Sequence, residues 1–295
     1  MVLVIMNTLI VLTGGVFSFF FFRDYSKNRN EIPTSNKRYA AHFGIGFVVN
    51  FFDTLGIGSF APTMSIYKLF KLVPDKLIPG TLNVGCYLPV AVMAIIFMRI
   101  INVDTLTLVL MVVASVIGAV VGVGVLKNLP VQRVRVTMGC GLLLAATLMF
   151  LGQVGLFPVG GEDIGLTGGR LVIAVVGNFI LGMLLPLGVG NYAPCMAMVY
   201  LLGLNPAVAF PVMMSSATFV LSTSGTRFAQ EGIYDRKAAM GLGIGGIPAV
   251  FIAAFIVGSL PLDLLRWLVI CVVVYTSITM LIGALKKDKP EAAAA

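Results

Sequence analysis

Apolar residues run along this chain in continuous blocks, not in the alternation of half-buried strands. Most blocks approach about 20 residues, the length at which a helix crosses a bilayer. The first spans Val2 to Phe22 and leads into a basic stretch with Arg23, Lys27, Arg29, Lys37 and Arg38. A short block, Tyr39 to Asp53, stops at Leu55-Gly56-Ile57-Gly58-Ser59-Phe60-Ala61-Pro62, a string that breaks helices. A second short block, Thr63 to Val73, is followed by long ones near 80–98, 105–126 and 134–152. An acidic, Gly-rich connection over 153–170 carries Glu162 and Asp163. The order then recurs. Leu171 to Leu185 is short and stops at Leu187-Gly188-Val189-Gly190-Asn191-Tyr192-Ala193-Pro194. A short block to Leu204 and long ones near 207–224, 238–258 and 264–284 complete the pattern.

The recurrence is a duplication. Shifted by 132 residues, LGIGSFAPTM (55–64) lies on LGVGNYAPCM (187–196), with six of ten positions identical. Pro74 then meets Pro206 and Pro79 meets Pro211; one residue of slip brings Leu129-Pro130 onto Leu260-Pro261 and Arg135 onto Arg266. The pattern predicts an all-α polytopic membrane protein. An N-terminal transmembrane helix and basic inner loop (1–36) precede a first repeat (37–152). An outer acidic linker (153–170), a second repeat (171–285) and a cytoplasmic tail (286–295) follow. Each repeat is expected to hold one re-entrant helical hairpin plus three transmembrane helices. A hairpin that enters and leaves on one side leaves three net crossings per repeat, so the second repeat is inverted. Charge supports this. With the N-terminus outside and the C-terminus cytoplasmic, all of the 20 Lys and Arg fall inside except Arg99, Arg170 and Arg266. The first block lacks the positive leader and cleavage site of a signal peptide, so it is expected to span.

Composition narrows the function. The chain is 59% hydrophobic and 11% charged, against roughly a quarter charged in soluble domains. The net charge of +8 sits in short connections, where membrane topology explains it, and nucleic acid is not an expected partner. Cys86, Cys140, Cys195 and Cys271 have no metal-ligand spacing and read as core packing. With a single His, no nucleophile–base set and no phosphate-binding loop, no enzyme activity, metal or cofactor is expected.

The broken strings carry the chemistry. Irregular backbone at membrane depth must be enclosed by protein or line a cavity. Two such strings, one per inverted half, should meet near the midplane, where secondary transporters bind substrate. Ser59 and Asn191 stand at equivalent positions before Phe60-Ala61-Pro62 and Tyr192-Ala193-Pro194, and both are good N-cap residues. The helices that follow present free N–H groups and positive dipole ends, an anion site without buried Arg or Lys. Gly56, Gly58, Gly188 and Gly190 let a ligand reach the backbone; the alternative is that they permit tight helix crossing. Phe60 and Tyr192 flank the site. Thr81 and Asn83, with Ser215 and Ser216 near the equivalent positions, offer further donors or serve interhelical hydrogen bonds. Cys195 lies beside the second tip, as lining or as an inert buried thiol. Asp53 is the carboxylate within an apolar segment, a costly placement that marks function by default. It reads either as a proton-coupling group or as a partner for free N–H groups at the tip; its repeat equivalent, Leu185, makes any role asymmetric. His42 is expected near the inner surface, as a satisfied surface-facing side chain in preference to a proton relay.

The paired broken segments, the Gly-x-Gly…Ala-Pro strings, the Gly-Ile-Tyr-Asp stretch (232–235) and the Leu-Pro…Arg repeats resemble the TauE/SafE family over roughly residues 40–285. The resemblance implies secondary transport of sulfur-containing anions (sulfite, sulfonates, sulfoacetate) across the bacterial inner membrane. The residues themselves specify an oxyanion and a site between the tips, with proton coupling open at Asp53. An anion channel shares the same charge argument; an intramembrane hydrolase pairing Ser59 with His42 is the more distant alternative.

Overall fold

The computed structural model describes residues 2–28, 36–125, 131–156, 161–185 and 191–285. They are mostly helical, with short turns and connections between the helices, and the expected basic tail over 286–295 lies outside them. Helix α1 is Val2–Lys27, and α2 (Asn36–Thr54) and α3 (Phe60–Leu69) flank the first broken string. A short turn leads into α4 (Ile78–Gly85) and α5 (Tyr87–Ile100), which Cys86 joins with helical hydrogen bonds on both sides. Helices α6 (Thr105–Val125) and α7 (Val131–Gln153) close the first half. The second half contains α8 (Gly168–Leu184), α9 (Tyr192–Leu201), α10 (Ala209–Glu231), α11 (Arg236–Ser259) and α12 (Leu262–Leu285). Among the described residues, seven helical stretches are long and apolar enough to cross a membrane. This is a multi-pass membrane protein.

Under the same 132-residue shift, α3 falls on α9 at both ends, and α6 and α7 fall on α11 and α12 to within a few residues. The terminations correspond as well. After α3, Leu72 N–H donates to Tyr67 O and Lys71 N–H to Lys68 O; after α9, Leu204 donates to Val199 O and Gly203 to Tyr200 O. Both are left-handed helix stops with the same paired bonds. Glycine adopts the positive φ without cost at Gly203, whereas Lys71 holds φ 49° in its place.

The halves interlock. Helix α2 packs along α11, and α8 along α6, so each broken helix lies on a long helix of the other half. Small residues set both contacts. A Cβ at Gly46 would strike the backbone of Leu242, and one at Gly245 the backbone of Phe43. On the other side, a Cβ at Gly182 would strike Ser115, and one at Gly118 the Phe179 carbonyl. Backbones in van der Waals contact make up for the weak hydrophobic drive between helices in lipid.

Cys86 and Cys195 are buried as expected, but Cys140 and Cys271 are exposed on the bundle surface. The core expectation therefore fails for these two, because a thiol facing lipid costs little. The Gly-Ile-Tyr-Asp stretch proves to be a structural junction. Gly232 ends α10 with φ +68°, and Asp235 caps α11 by accepting from Ala238 N–H at 2.8 Å. Tyr234 is buried and donates to Asp24 Oδ2 on α1 at 2.7 Å. Arg236 grips the same carboxylate at 2.8 and 3.0 Å. Burial and the adjacent carboxylate push the Tyr234 hydroxyl well above its ordinary pKa, so it stays a donor.

Asp24→Ala removes the carboxylate shared by Tyr234 and Arg236. The expected loss is about 1–3 kcal/mol of stability, read as a lower unfolding temperature in detergent, and Tyr234→Phe should lose less.

Candidate functional site

The first tip is wound by its own backbone. Gly56 N–H donates to Asp53 O at 2.9 Å and Ile57 N–H to Phe52 O at 3.1 Å, with Gly56 at φ +94°. This motif stops α2 while keeping its last carbonyls bonded. Gly58 also has positive φ, +91°, and a Cβ there would meet nothing within 4 Å. It therefore serves backbone geometry, while the close-crossing role falls to other glycines, such as Gly46 and Gly182. Gly188 and Gly190 lie outside the described residues.

Ser59 and Asn191 occupy the predicted N-cap positions of α3 and α9, but neither side chain makes a cap hydrogen bond. The backbone explains this. Both residues are right-handed helical, at φ −88°, ψ −26° and φ −94°, ψ −9°, whereas a capping side chain requires a more extended backbone. The first intrahelical bonds are Thr63 N–H to Ser59 O and Cys195 N–H to Asn191 O. The amides of Phe60, Ala61, Tyr192 and Ala193 precede them and have no partner within their own helices. Pro62 and Pro194 contribute no N–H.

The structure brings the two helix starts together. A Cβ on Gly56 would collide with the Met196 methyl on α9, and Met213 of α10 lies just beyond. Asp53 is 2% exposed, and its Oδ2 has no hydrogen-bond partner. The Ser59 hydroxyl and amide face this carboxylate. Cys86 also lies beside Ser59 and Asp53, and Tyr192, at the start of α9, is within electrostatic reach of both Asp53 and Cys86. Asn191 is buried with its Nδ2 unpartnered. Asp53, Ser59, Tyr192 and Cys86 thus form one buried group, with Asn191 next to Tyr192. Read as core packing, Cys86 could have been found only from its register in the helix after the hairpin.

Other predicted residues are placed differently. Thr81 donates to Leu77 O at 2.7 Å and accepts from Asp235 N–H at 2.9 Å, fixing the α10–α11 junction. Asn83 donates to Pro79 O and accepts from Ser224 at 2.6 Å. Ser216 accepts from Asn178 Nδ2 at 3.2 Å, and the same nitrogen donates to Met111 O at 2.6 Å. Ser215 is buried with an unpartnered hydroxyl, as are Ser115 Oγ and Asn178 Oδ1. Sequence reasoning missed Asn178; a lone amide in an apolar helix was the available signal. Cys195 is fully buried in the core beside the second tip. His42 departs from its expected solvent-facing position. It is 3% exposed, its Nδ1 lacks a partner, and its ring meets Tyr67 edge-on at 5.5 Å. The close approach of α11 at Gly241 covers it. Among the described residues no His, Cys, Asp or Glu cluster could hold a metal.

Two short helices that begin beside one buried carboxylate form a polar centre inside an apolar bundle. Residues 170–295 match the family model described as Sulfite exporter TauE/SafE. The match covers α8 to α12 and so includes Asn191, Tyr192 and the whole second half. No curated protein and no solved structure matches the chain. The family it resembles over this stretch, less than half of the chain, is one of transporters.

If the tips bind an anion, Ser59→Ala and Asn191→Ala should each weaken binding about tenfold or more, the value of one hydrogen bond to a charged group. The unfolding temperature without ligand should change little. Unchanged affinity in both variants would remove the tips from the site.

Proposed function

We propose that the protein is a secondary transporter of small sulfur-containing anions, of the sulfite, sulfonate or sulfoacetate class, in the bacterial inner membrane. The two halves act as inverted repeats, with the N-terminus outside and the C-terminus cytoplasmic. Each repeat contributes one re-entrant hairpin and three transmembrane helices. The anion binds near the midplane between the hairpin tips, against the free amides that start α3 and α9, and the repeats rock around it. Asp53 couples the cycle to protons.

The observation that carries this reading is the meeting of the two helix starts around Asp53. Positive helix ends suit an anion. A carboxylate in the same group repels that anion when ionised and tolerates it when protonated, which links anion occupancy to proton occupancy.

The unequal cover on the two short helices supports alternating access. On α9, Ala193, Ala197 and Tyr200 are buried, and the Tyr200 hydroxyl reaches Met149 O on α7 at 3.4 Å. The matching residues of α3, Ala61, Ser65 and Lys68, are exposed. Lipid-facing surfaces of this protein carry Val, Leu, Ile and Phe, as in α6 and α8. This face of α3, with Ala61, Ser65 and Lys68 followed by the exposed Leu69 and Phe70, is left uncovered where α9 is buried, and Lys68 on it draws anions. This state therefore reads as open beside α3, on the basic side, and closed beside α9.

The first test is thermal unfolding of the purified protein with sulfite, sulfate, thiosulfate, taurine, sulfoacetate, phosphate and acetate. A ligand at 100 times its Kd should stabilise the folded state by about 2.7 kcal/mol. Selective stabilisation by a sulfur compound is expected; a uniform absence of shift would overturn the anion site. In liposomes, flux should saturate and follow a pH gradient, whereas a channel would do neither. Asp53→Asn should abolish gradient-driven flux and leave anion binding intact.

A further inference from the structure

Asp53 is sealed from solvent, yet a coupling carboxylate must exchange its proton. Ser59, Cys86 and Tyr192 stand around the carboxylate, and a line of buried polar groups leads from it, past Ser59 and Cys86, toward His42. Residues 42, 46, 50 and 53 of α2 share one helical face, and that face is turned to the glycines of α11. His42 stands on it three turns before Asp53. Tyr67 of α3 is fully buried against His42, with their rings 5.5 Å apart. Cys86 lies within electrostatic reach of the Tyr67 hydroxyl, and Cys86 and Ser59 adjoin Asp53.

Four atoms along this line lack hydrogen-bond partners although they are buried: His42 Nδ1, Asn50 Oδ1, Tyr67 OH and Asp53 Oδ2. An unpaired buried polar atom is costly and needs a reason. Three of the four are on groups able to accept or give up a proton, and proton passage supplies a common reason for them. The outer end of the line is also suitable. His42 faces Asp235 at the α10–α11 junction, Arg38 on its own helix, Lys237 on α11 and Tyr67 on α3. Arg38, Asp235 and Lys237 lie at the start of α2 and α11, on the basic side of the membrane.

We infer that His42 and Tyr67 form a proton relay between the basic membrane face and Asp53, joining the anion site only at Ser59. In the inward step, His42 takes a proton on one ring nitrogen and releases one from the other. Tyr67 accepts at its oxygen and passes on its own hydroxyl proton. Asp53 Oδ2 receives the last one across the Ser59 and Cys86 side chains. Tyr67 gains one proton and loses one and is unchanged, while His42 is left in its other neutral tautomer, which a return proton shift or a turn of the ring resets before the next passage. The inference rests on the reading of Asp53 as the coupling group.

The test follows the carboxylic acid infrared band of the purified protein after a rapid pH jump. Asp53→Asn should remove a component of this band, which assigns it. His42→Gln and Tyr67→Phe should leave the amplitude of that component and slow its appearance at least tenfold. In His42→Ala, added imidazole should restore the rate. If the component disappears in Asp53→Asn but keeps its wild-type rate in both relay variants, Asp53 titrates and the relay is overturned. If Asp53→Asn leaves the band intact, the coupling role fails, and the relay falls with it. Tyr67→Phe deletes one oxygen from an otherwise unchanged ring, so it decides the matter even if His42→Gln does not fold.

Discussion

A helix that stops inside hydrocarbon leaves amides and carbonyls that lipid cannot satisfy, and each costs several kcal/mol. Much of this structure answers that constraint. Gly56 at φ +94° allows the last carbonyls of α2 to be bonded by the tip itself. Helix α3 packs against α2 and α4, and α9 lies among α7, α8, α10 and α12. The long helices α6 and α11 then cover one face each of the broken helices α8 and α2, and glycines at both crossings bring the backbones into contact. What cannot be satisfied internally remains as a few free amides next to a carboxylate. Structural cost and chemical opportunity arise at the same atoms.

Much of this was legible in the sequence. Apolar block lengths and the 132-residue recurrence gave the helices and their pairing, because bilayer thickness and helix-breaking residues leave few alternatives. Asp53 and the tip positions Ser59 and Asn191 were legible for the same reason: a carboxylate or a cap in an apolar segment has to be explained. Side-chain roles were less so. Ser59 and Asn191 were expected to cap their helices, but their helical backbone turns the side chains elsewhere. Thr81 and Asn83 were read either as pocket donors or as interhelical hydrogen-bond partners; Thr81 bonds the junction at Asp235 and Asn83 bonds Ser224, partners more than 140 residues away that no local pattern identifies. Cys86 and His42 were undervalued because their significance comes from which helices fold over them.

The duplication also shows how equivalent segments can diverge under unequal surroundings. Helices α3 and α9 have the same length, the same start and the same hydrogen-bonded stop. Their outer faces differ because α7 and α12 lie against only one of them. Tyr200 fits a buried position, and Lys68 fits an exposed one. Asp53 against Leu185 extends this asymmetry to the centre.

The crossing of α2 onto α11 and of α8 onto α6 has a consequence for biosynthesis. Chains emerge from the ribosome N-terminus first and tend to fold unit by unit, yet neither half here contains the partner of its own broken helix. Helix α2, with His42, Asn50 and Asp53 along one face, reaches the membrane long before α11 exists to cover that face. The early chain must wait in an incompletely packed form, and the second half supplies the cover for what the first half leaves open. Residues 170–295, although they match a family model by themselves, are therefore a recognisable sequence unit and not an independent folding one.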